Sequence, residues 1–415
     1  MKISLPKTWQ WLSLALCAIA CKQEPHDPAK AQHEPQLPQI MTSPVLGNSS
    51  LPHLFVAQDS VYLSWVEKLE DGRHAFQFAS TKDTVWSPID TIATGNNWFV
   101  NWADYPTMTQ NGDEFLATFL QRSDSGKYTY DVRYTVKKRD SLWRKPKILH
   151  DDGIPAEHGF VSLLPYGENF FATWLDGRTT VAENPAERQM TLRAAVINRE
   201  GHKLEDFLLD DRVCDCCQTA AAMTSTGPIV FYRNRSKDDE EVRDIYYTRA
   251  MDTLWTEPKP VFKDNWKING CPVNGPRADA HGENVAVAWF TMANEKPKVQ
   301  VSFSKNAAKS FDTPIRVDEG NPLGRVDVVM ADEKTAVVSW LESRDNEDVI
   351  MAMRVDTDGV RSPAIEVARS SSERSSGFPQ MTLLGSTIYF AWTRSIDEQK
   401  TVVVAHLDIS AFSHQ

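Results

Sequence analysis

No block of basic residues occurs anywhere in this 415-residue sequence, and its 45 Lys and Arg are outnumbered by 56 Asp and Glu, for a net charge of −11. A chain that neutralises phosphates needs the opposite balance, so nucleic acid is excluded as the expected partner. No CxxCH run occurs, which excludes simple haem attachment. After the first twenty residues no long apolar run returns, and no stretch repeats hydrophobic residues at helical spacing. What is present is aromatic, with 13 Trp and 18 Phe set among short alternating runs of the kind strands use.

The opening "MKISLPKTWQWLSLALCAIAC" carries Lys2 and Lys7, then an apolar stretch from Trp9 to Ala20 ending in small residues. That is the layout of a secretory signal peptide, and the stretch is too short for a spanning helix. Ala18-Ile19-Ala20-Cys21 resembles the bacterial lipobox, which implies lipidation at Cys21 after removal of residues 1–20. The polar, Pro- and Gln-rich residues 21–40 read as a flexible tether, with Lys22 favouring the outer membrane of the cell envelope.

Self-similarity organises the remainder. A short strand ending in an aromatic recurs at Trp65, Phe119, Trp174, Tyr232, Trp289, Trp340 and Trp392. Each copy is preceded by an apolar strand and a tight polar turn ("QNGD", "YGEN", "HGEN", "LGST") and followed by an alternating strand. A Pro-marked fourth strand completes most copies, as in "WSPIDTI" and "FDTPIRV". Four antiparallel strands per repeat predict an all-β chain folded as a β-propeller over residues 41–410. Seven blades is the main reading, with six as the alternative and a β-solenoid as a third. The last copy lacks its fourth strand, and "MTSPVLG" (residues 41–47) has the form to supply it, closing the ring and removing its open edges.

This pattern resembles the sialidase-like, Asp-box (BNR) propellers. In "SFSKNAAKSF", Ser304, Asn306 and Phe311 fall at the spacing of an Asp box, with Asn306 and Ala308 standing where the motif has Asp and Gly. The combination of "CDCC", "YRNRS", "CPVNGP" and "GRVDV" is similar to that of bacterial secreted proteins labelled sialidase-like. The resemblance implies an exo-glycosidase that holds a sugar carboxylate with arginines and uses a Tyr–Glu pair with an Asp acid/base.

In a propeller, the loops leading into each blade share a face with those joining its second and third strands. Arginines follow the repeated aromatic on that face: Arg122, Arg178, Arg233, Arg235, Arg344 and Arg394, with Arg325 in "GRVD". Guanidiniums gathered at a channel mouth would suit an anionic glycan or another small anion, because each offers a two-pronged donor. Solvated or mutually paired arginines are the bland alternative. Asp176, Asp327 and Glu342 are the carboxylates expected to do acid/base work, with Tyr105 and Tyr232 as phenols.

Cys214, Cys216 and Cys217 crowd "RVCDCCQT", and Cys271 follows in "NGCPVNGP". Complete pairing of these four demands one very tight ring within the run. Structural disulfides, a copper or zinc site helped by Asp215 or a histidine, and a redox centre all remain open. His158 and His281 read as ordinary loop or turn residues. The expected function is a lipid-anchored, monomeric envelope protein that binds or hydrolyses anionic glycans. The alternatives are a metal or redox protein centred on the cysteines, or a protein-interaction scaffold.

Overall fold

The computed structural model describes Met1, residues 37–252, 254–396 and 399–412. The leader, Cys21 and most of the tether (residues 2–36) lie outside the described residues.

Seven antiparallel sheets follow one another around a ring. Blade 1 comprises Asn48–Ala57, Ser60–Lys68, His74–Thr81 and Asp90–Gly95, and blade 2 comprises Thr107–Asn111, Glu114–Arg122, Tyr130–Lys138 and Lys147–Ile148. Blade 3 runs through His158–Tyr166, Asn169–Asp176, Met190–Ile197 and Lys203–Val213. In blade 4, Ala220–Thr224, Gly227–Arg233 and Ile245–Met251 are followed by a split outer edge, Leu254–Trp255 and Lys259–Pro260. Blade 5 holds Arg277–His281, Asn284–Thr291, Lys298–Ser304 and Ile315–Arg316, and blade 6 holds Pro322–Met330, Thr335–Arg344, Glu347–Asp356 and Ile365–Ser370. Blade 7 takes Gln380–Leu384, Thr387–Ile396 and Gln399–Asp408 from the end of the chain and Gln39–Ile40 from its beginning. Ile40 pairs with Ala405, and the Met41 N–H donates to Val404 O at 2.9 Å, so the N-terminal segment closes the ring. The strand that does so is Gln39–Ile40, just before the expected 41–47 and inside the stretch read as tether.

Local chemistry explains the repeat. In most blades the hairpin joining the first two strands turns in two residues, a geometry that favours positive φ. Gly167 meets it without strain at φ 53°, and Gln58 takes the same conformation in blade 1. The repeated aromatic lies on the second strand of every blade and faces the neighbouring sheet; Trp65, Trp174, Trp289 and Trp340 have no exposed surface. Each removes on the order of 200 Å² from water, worth roughly 5 kcal/mol. Their indole N–H groups are all paired: Trp65 with Gln77 Oε1 at 3.0 Å, Trp289 with Asp264 Oδ2 at 2.6 Å, Trp174 with Asp176, and Trp340 with Glu342. A buried donor left unpaired would cancel a good part of that gain.

The turn that resembles an Asp box joins the third and fourth strands of blade 5 and caps itself. Ser304 Oγ donates to Asn306 Oδ1 at 2.9 Å and accepts the Ala308 N–H at 3.0 Å, while Phe311 packs edge-on against Phe231 and Tyr247.

Candidate functional site

The inner strands enclose a channel of about 640 Å³, a volume suited to a small ligand. Its most concentrated charge comes from blades 5 and 6, with the Gln380 amide of blade 7 beside it. Arg277, the first residue of the inner strand of blade 5, donates to Gln380 Oε1 at 2.7 Å and stands 3.5 Å from Asp327 Oδ1. Its guanidinium lies 5.9 Å from the centre of the Tyr105 ring. His53 lines the same channel with Nδ1 buried and unpartnered. Burial, reinforced by the charge of Arg277, pulls the His53 pKa down to about 3.

Asp279 and Asp327 lie on consecutive inner strands and tie the ring together, Asp327 level with Arg277 and Gln380 in the strand register. Asp279 Oδ2 accepts the Met330 N–H, and Asp327 Oδ2 accepts the Met381 N–H, both at 2.7 Å. Burial raises both carboxyls above the usual range. Of the three carboxylates singled out by sequence, Asp327 is the one that lines the channel.

Asp176 and Glu342 do related structural work elsewhere. Asp176 accepts the Trp174 indole at 2.9 Å and forms a two-pronged pair with Arg178 at 2.7 and 2.8 Å. Glu342 accepts the Trp340 indole and the N–H groups of Glu319 (3.3 Å) and Asn321 (3.1 Å), capping a loop. Tyr232, also fully buried, donates to Asp210 Oδ2 at 2.5 Å.

The sequence-derived arginines do not converge on one point. Arg233 is buried and donates to the carbonyls of Asn274, Arg243 and Phe290, with its guanidinium 4.8 Å from the Trp266 ring centre. Arg325 is buried among the carbonyls of Ser371, Ser372, Glu373 and Gly377, and burial lowers its pKa to about 10. Arg235 pairs with Asp215 at 2.9 Å, Arg344 lies 3.8 Å from Glu319 at the surface, and Arg122 and Arg394 are exposed or nearly so.

Arg277 was not singled out by sequence, although a signal existed. "RAD" at 277–279 and "RVD" at 325–327 lie on consecutive inner strands, although in the strand register Arg277 is level with Asp327 rather than with Arg325. The strand from Arg277 pairs in regular register with its neighbour, which leaves Arg277 facing the channel. The second copy carries an irregularity between Gly324 and Asp327, with Arg325 at φ 52°, and this turns the arginine away to clamp the 371–377 loop.

A second polar centre lies beside the channel. Asp104 Oδ1 accepts the Phe160 N–H at 2.7 Å, and Tyr130 Oη lies 3.0 Å from Asp104 Oδ2 and 3.0 Å from Glu157 Oε1. Gly159 permits this approach, because a Cβ there would fall 1.9 Å from Asp104 Oδ2. Burial pushes Asp104 up to about 8 and Glu157 up to about 7. Tyr130 and Glu157 form a Tyr–Glu contact of the kind the family resemblance implies, but Tyr130 is fully buried, stacked 4.0 Å from Phe99.

Between blades 2 and 3, His150 and His158 stack face to face at 3.5 Å. Asp152 Oδ2 lies 3.2 Å from His150 Nδ1, His158 Nε2 and Arg178 Nη2 alike. Burial works to raise the Asp152 carboxyl, but the hydrogen bonds from His158 and the Ile154 N–H and the two imidazoles hold it well below the usual range. His158 is thus a buried member of an ionic network, and His150 is its unforeseen partner. His281 ends the inner strand of blade 5, exposed beside a hairpin turn.

The cysteines sit in two adjacent loops on the same face. Cys214, Cys216 and Cys217 lie between blades 3 and 4, and Cys271 lies between blades 4 and 5. All four are free thiols, so the disulfides expected as one option are not found. Hydrogen bonds from the Cys216 and Cys217 thiols hold the Cys214 pKa well below the usual value, with the Arg233 charge assisting. Asn274 anchors the second loop. Its carbonyl receives Arg233, and its side-chain oxygen accepts the Arg325 N–H at 2.8 Å.

No protein-family model and no curated protein matches this chain. Solved structures do. An ulvan lyase described as a new family of polysaccharide lyase superposes with a TM-score of 0.54 at 10% identity, over 91% of this chain and 96% of that one. A puromycin hydrolase complexed with PGG gives 0.54 at 12%, over 88% of this chain and 53% of that one, so the present chain spans about half of it. The phage phi92 endosialidase gives 0.50 at 10%, over 90% and 69%. At these identities the likeness is one of fold: the chain has a sialidase-like propeller architecture shared by several glycan-active enzymes.

Proposed function

We propose that this protein is an envelope-anchored propeller that binds an anionic glycan in its central channel, with Arg277 as the principal anion contact. The observation that carries the reading is the Arg277 guanidinium in the channel wall, among Tyr105, His53, Asp327 and Gln380. A guanidinium fixed by a neighbouring amide and carboxylate keeps its remaining N–H groups pre-aimed, which suits a planar carboxylate or a sulfate ester. The lyase and endosialidase neighbours support a sugar as the rest of the ligand. Asp104 also lines the channel, and with its pKa near 8 it would hold a proton at neutral pH, as an acid acting on such a ligand must. The lipobox-like residues 18–21 supply the anchor in this reading, facing the folded ring into the periplasm or outward from the outer membrane.

The test is calorimetric binding of uronate-, sialate- and sulfate-bearing oligosaccharides against their neutral counterparts, with wild type and Arg277→Met. Binding of an anionic member alone, weakened on the order of thirtyfold or more in Arg277→Met, is expected. Equal binding of neutral and anionic sugars, or binding by none, overturns the reading.

A further inference from the structure

Three thiols cluster in the loop between blades 3 and 4, a fourth stands on the neighbouring loop between blades 4 and 5, and none of them lines the channel. Cys214 and Cys217 are buried, with their sulfurs 3.7 Å apart. The three sulfurs of the run all lie within 4.8 Å of one another. Cys271 is exposed on the neighbouring loop, on the side of Cys216.

Two sulfurs bonded to each other stand at about 2.05 Å, and two in simple van der Waals contact have no reason to recruit a third and a fourth. A tetrahedral zinc–thiolate centre with Zn–S near 2.3 Å has sulfur–sulfur edges of about 3.8 Å. The Cys214–Cys217 separation matches such an edge. We propose that Cys214, Cys216, Cys217 and Cys271 form a tetrahedral thiolate site for a thiophilic d10 cation, zinc in preference to cuprous copper.

The surroundings favour this use of the sulfurs. Four thiolates around a dication leave two negative charges, which is costly in a buried place without nearby cations. Arg233, whose carbonyl accepts the Cys214 N–H, lies beside the run, and Arg235 sits over the same loop, where it pairs with Asp215 at 2.9 Å. Backbone geometry is already fixed, since the Cys214 N–H donates to Arg233 O at 2.9 Å and Asn274 holds the loop that carries Cys271. Disulfides could satisfy all four sulfurs only by closing a tight ring inside the run, whereas one cation would satisfy them together. Three ligands come from one loop and the fourth from the next blade's loop, so the cation would staple the two. Cys271, the exposed member, is the side from which it enters. Binding would release one proton for each thiol not already ionised.

The experiment uses the full chain purified under reducing conditions without chelator, analysed for metal and for reactive thiols. One zinc per chain is expected, with the four thiols shielded until a chelator is added. Replacement by Co(II) should give sulfur-to-cobalt charge-transfer absorption and the intense visible bands of tetrahedral thiolate coordination. Cys271→Ser alters an exposed residue and should leave the circular dichroism unchanged, while zinc affinity falls at least about tenfold and the cobalt spectrum changes. Cys217→Ser should abolish uptake. A reduced chain that takes up neither zinc nor cobalt, or one in which four oxidised cysteines persist with no metal, overturns the proposal. Uptake of Cu(I) alone overturns the tetrahedral assignment. The result is independent of the channel, because loss of glycan binding would leave the metal and thiol counts untouched.

Discussion

Asp104 and Glu157 share a single phenol: Tyr130 Oη lies 3.0 Å from a carboxylate oxygen of each. A hydroxyl has one proton to give, so when both carboxyls are ionised one of the two contacts has no hydrogen in it. The arrangement is complete when a carboxyl brings a proton of its own, in accord with the raised pKa of both groups.

The sign of the resulting pH dependence follows. Both groups have folded-state pKa values, about 8 and about 7, above their ordinary 3.8 and 4.5. Their contribution to stability is therefore fully present below about pH 4 and is lost as pH rises towards 8. In urea unfolding across that range, Asp104→Asn should remove a large part of the decline seen in wild type. Parallel curves for the two proteins would contradict this.

His53 works in the opposite direction. Its pKa is lowered from 6.5 to about 3, so its contribution is present above pH 6.5 and is lost as pH falls towards 3. Nuclear magnetic resonance titration of the imidazole should show no protonation at pH 5. A midpoint near 6 would contradict the burial described for it.

Arg233→Met should be among the most damaging single changes in the protein. It strips donors from the carbonyls of Asn274, Arg243 and Phe290 inside the fold. The expected loss is about 3 kcal/mol or more in urea unfolding, and a loss below about 1 kcal/mol would contradict the role assigned here.

Asp176 and Glu342 stand two positions after equivalent tryptophans, and replacing either with Ala should lower stability by about 1–3 kcal/mol. Asp176→Ala should cost more, because it also leaves Arg178 and His158 facing a lost charge, at 2.7 and 3.8 Å. Neither change should alter ligand affinity in the channel. A binding defect with unchanged stability would point instead to a direct role in the site.

The ring was legible because its signal is repeated: seven aromatics on seven second strands, and a missing outer strand available at the other end. The neighbouring positions of the two cysteine loops were legible for the same reason, since topology alone brings them together. Side-chain direction was not. Sequence places Arg233 and Arg325 in mouth-side segments, but Arg233 is the last residue of a buried strand and Arg325 lies at a local irregularity. Both therefore point into the fold. Arg277 escaped notice because it opens an inner strand rather than following an aromatic. The His150–Asp152–His158 network is confined to the segment that links blade 2 to blade 3, where irregular backbone gives no periodicity from which to read side-chain direction.

The closure of blade 7 also bears on how the molecule is made. Ser43 Oγ donates to Val402 O at 3.0 Å, a contact across 359 positions of chain. Six sheets are each built from consecutive strands and can assemble in turn as the ribosome delivers them. The seventh must wait for residues 399–408, and until they arrive the first and last blades each present a bare flank. The early segment 39–43 is thus a reserved partner that must stay unpaired through nearly the whole of synthesis.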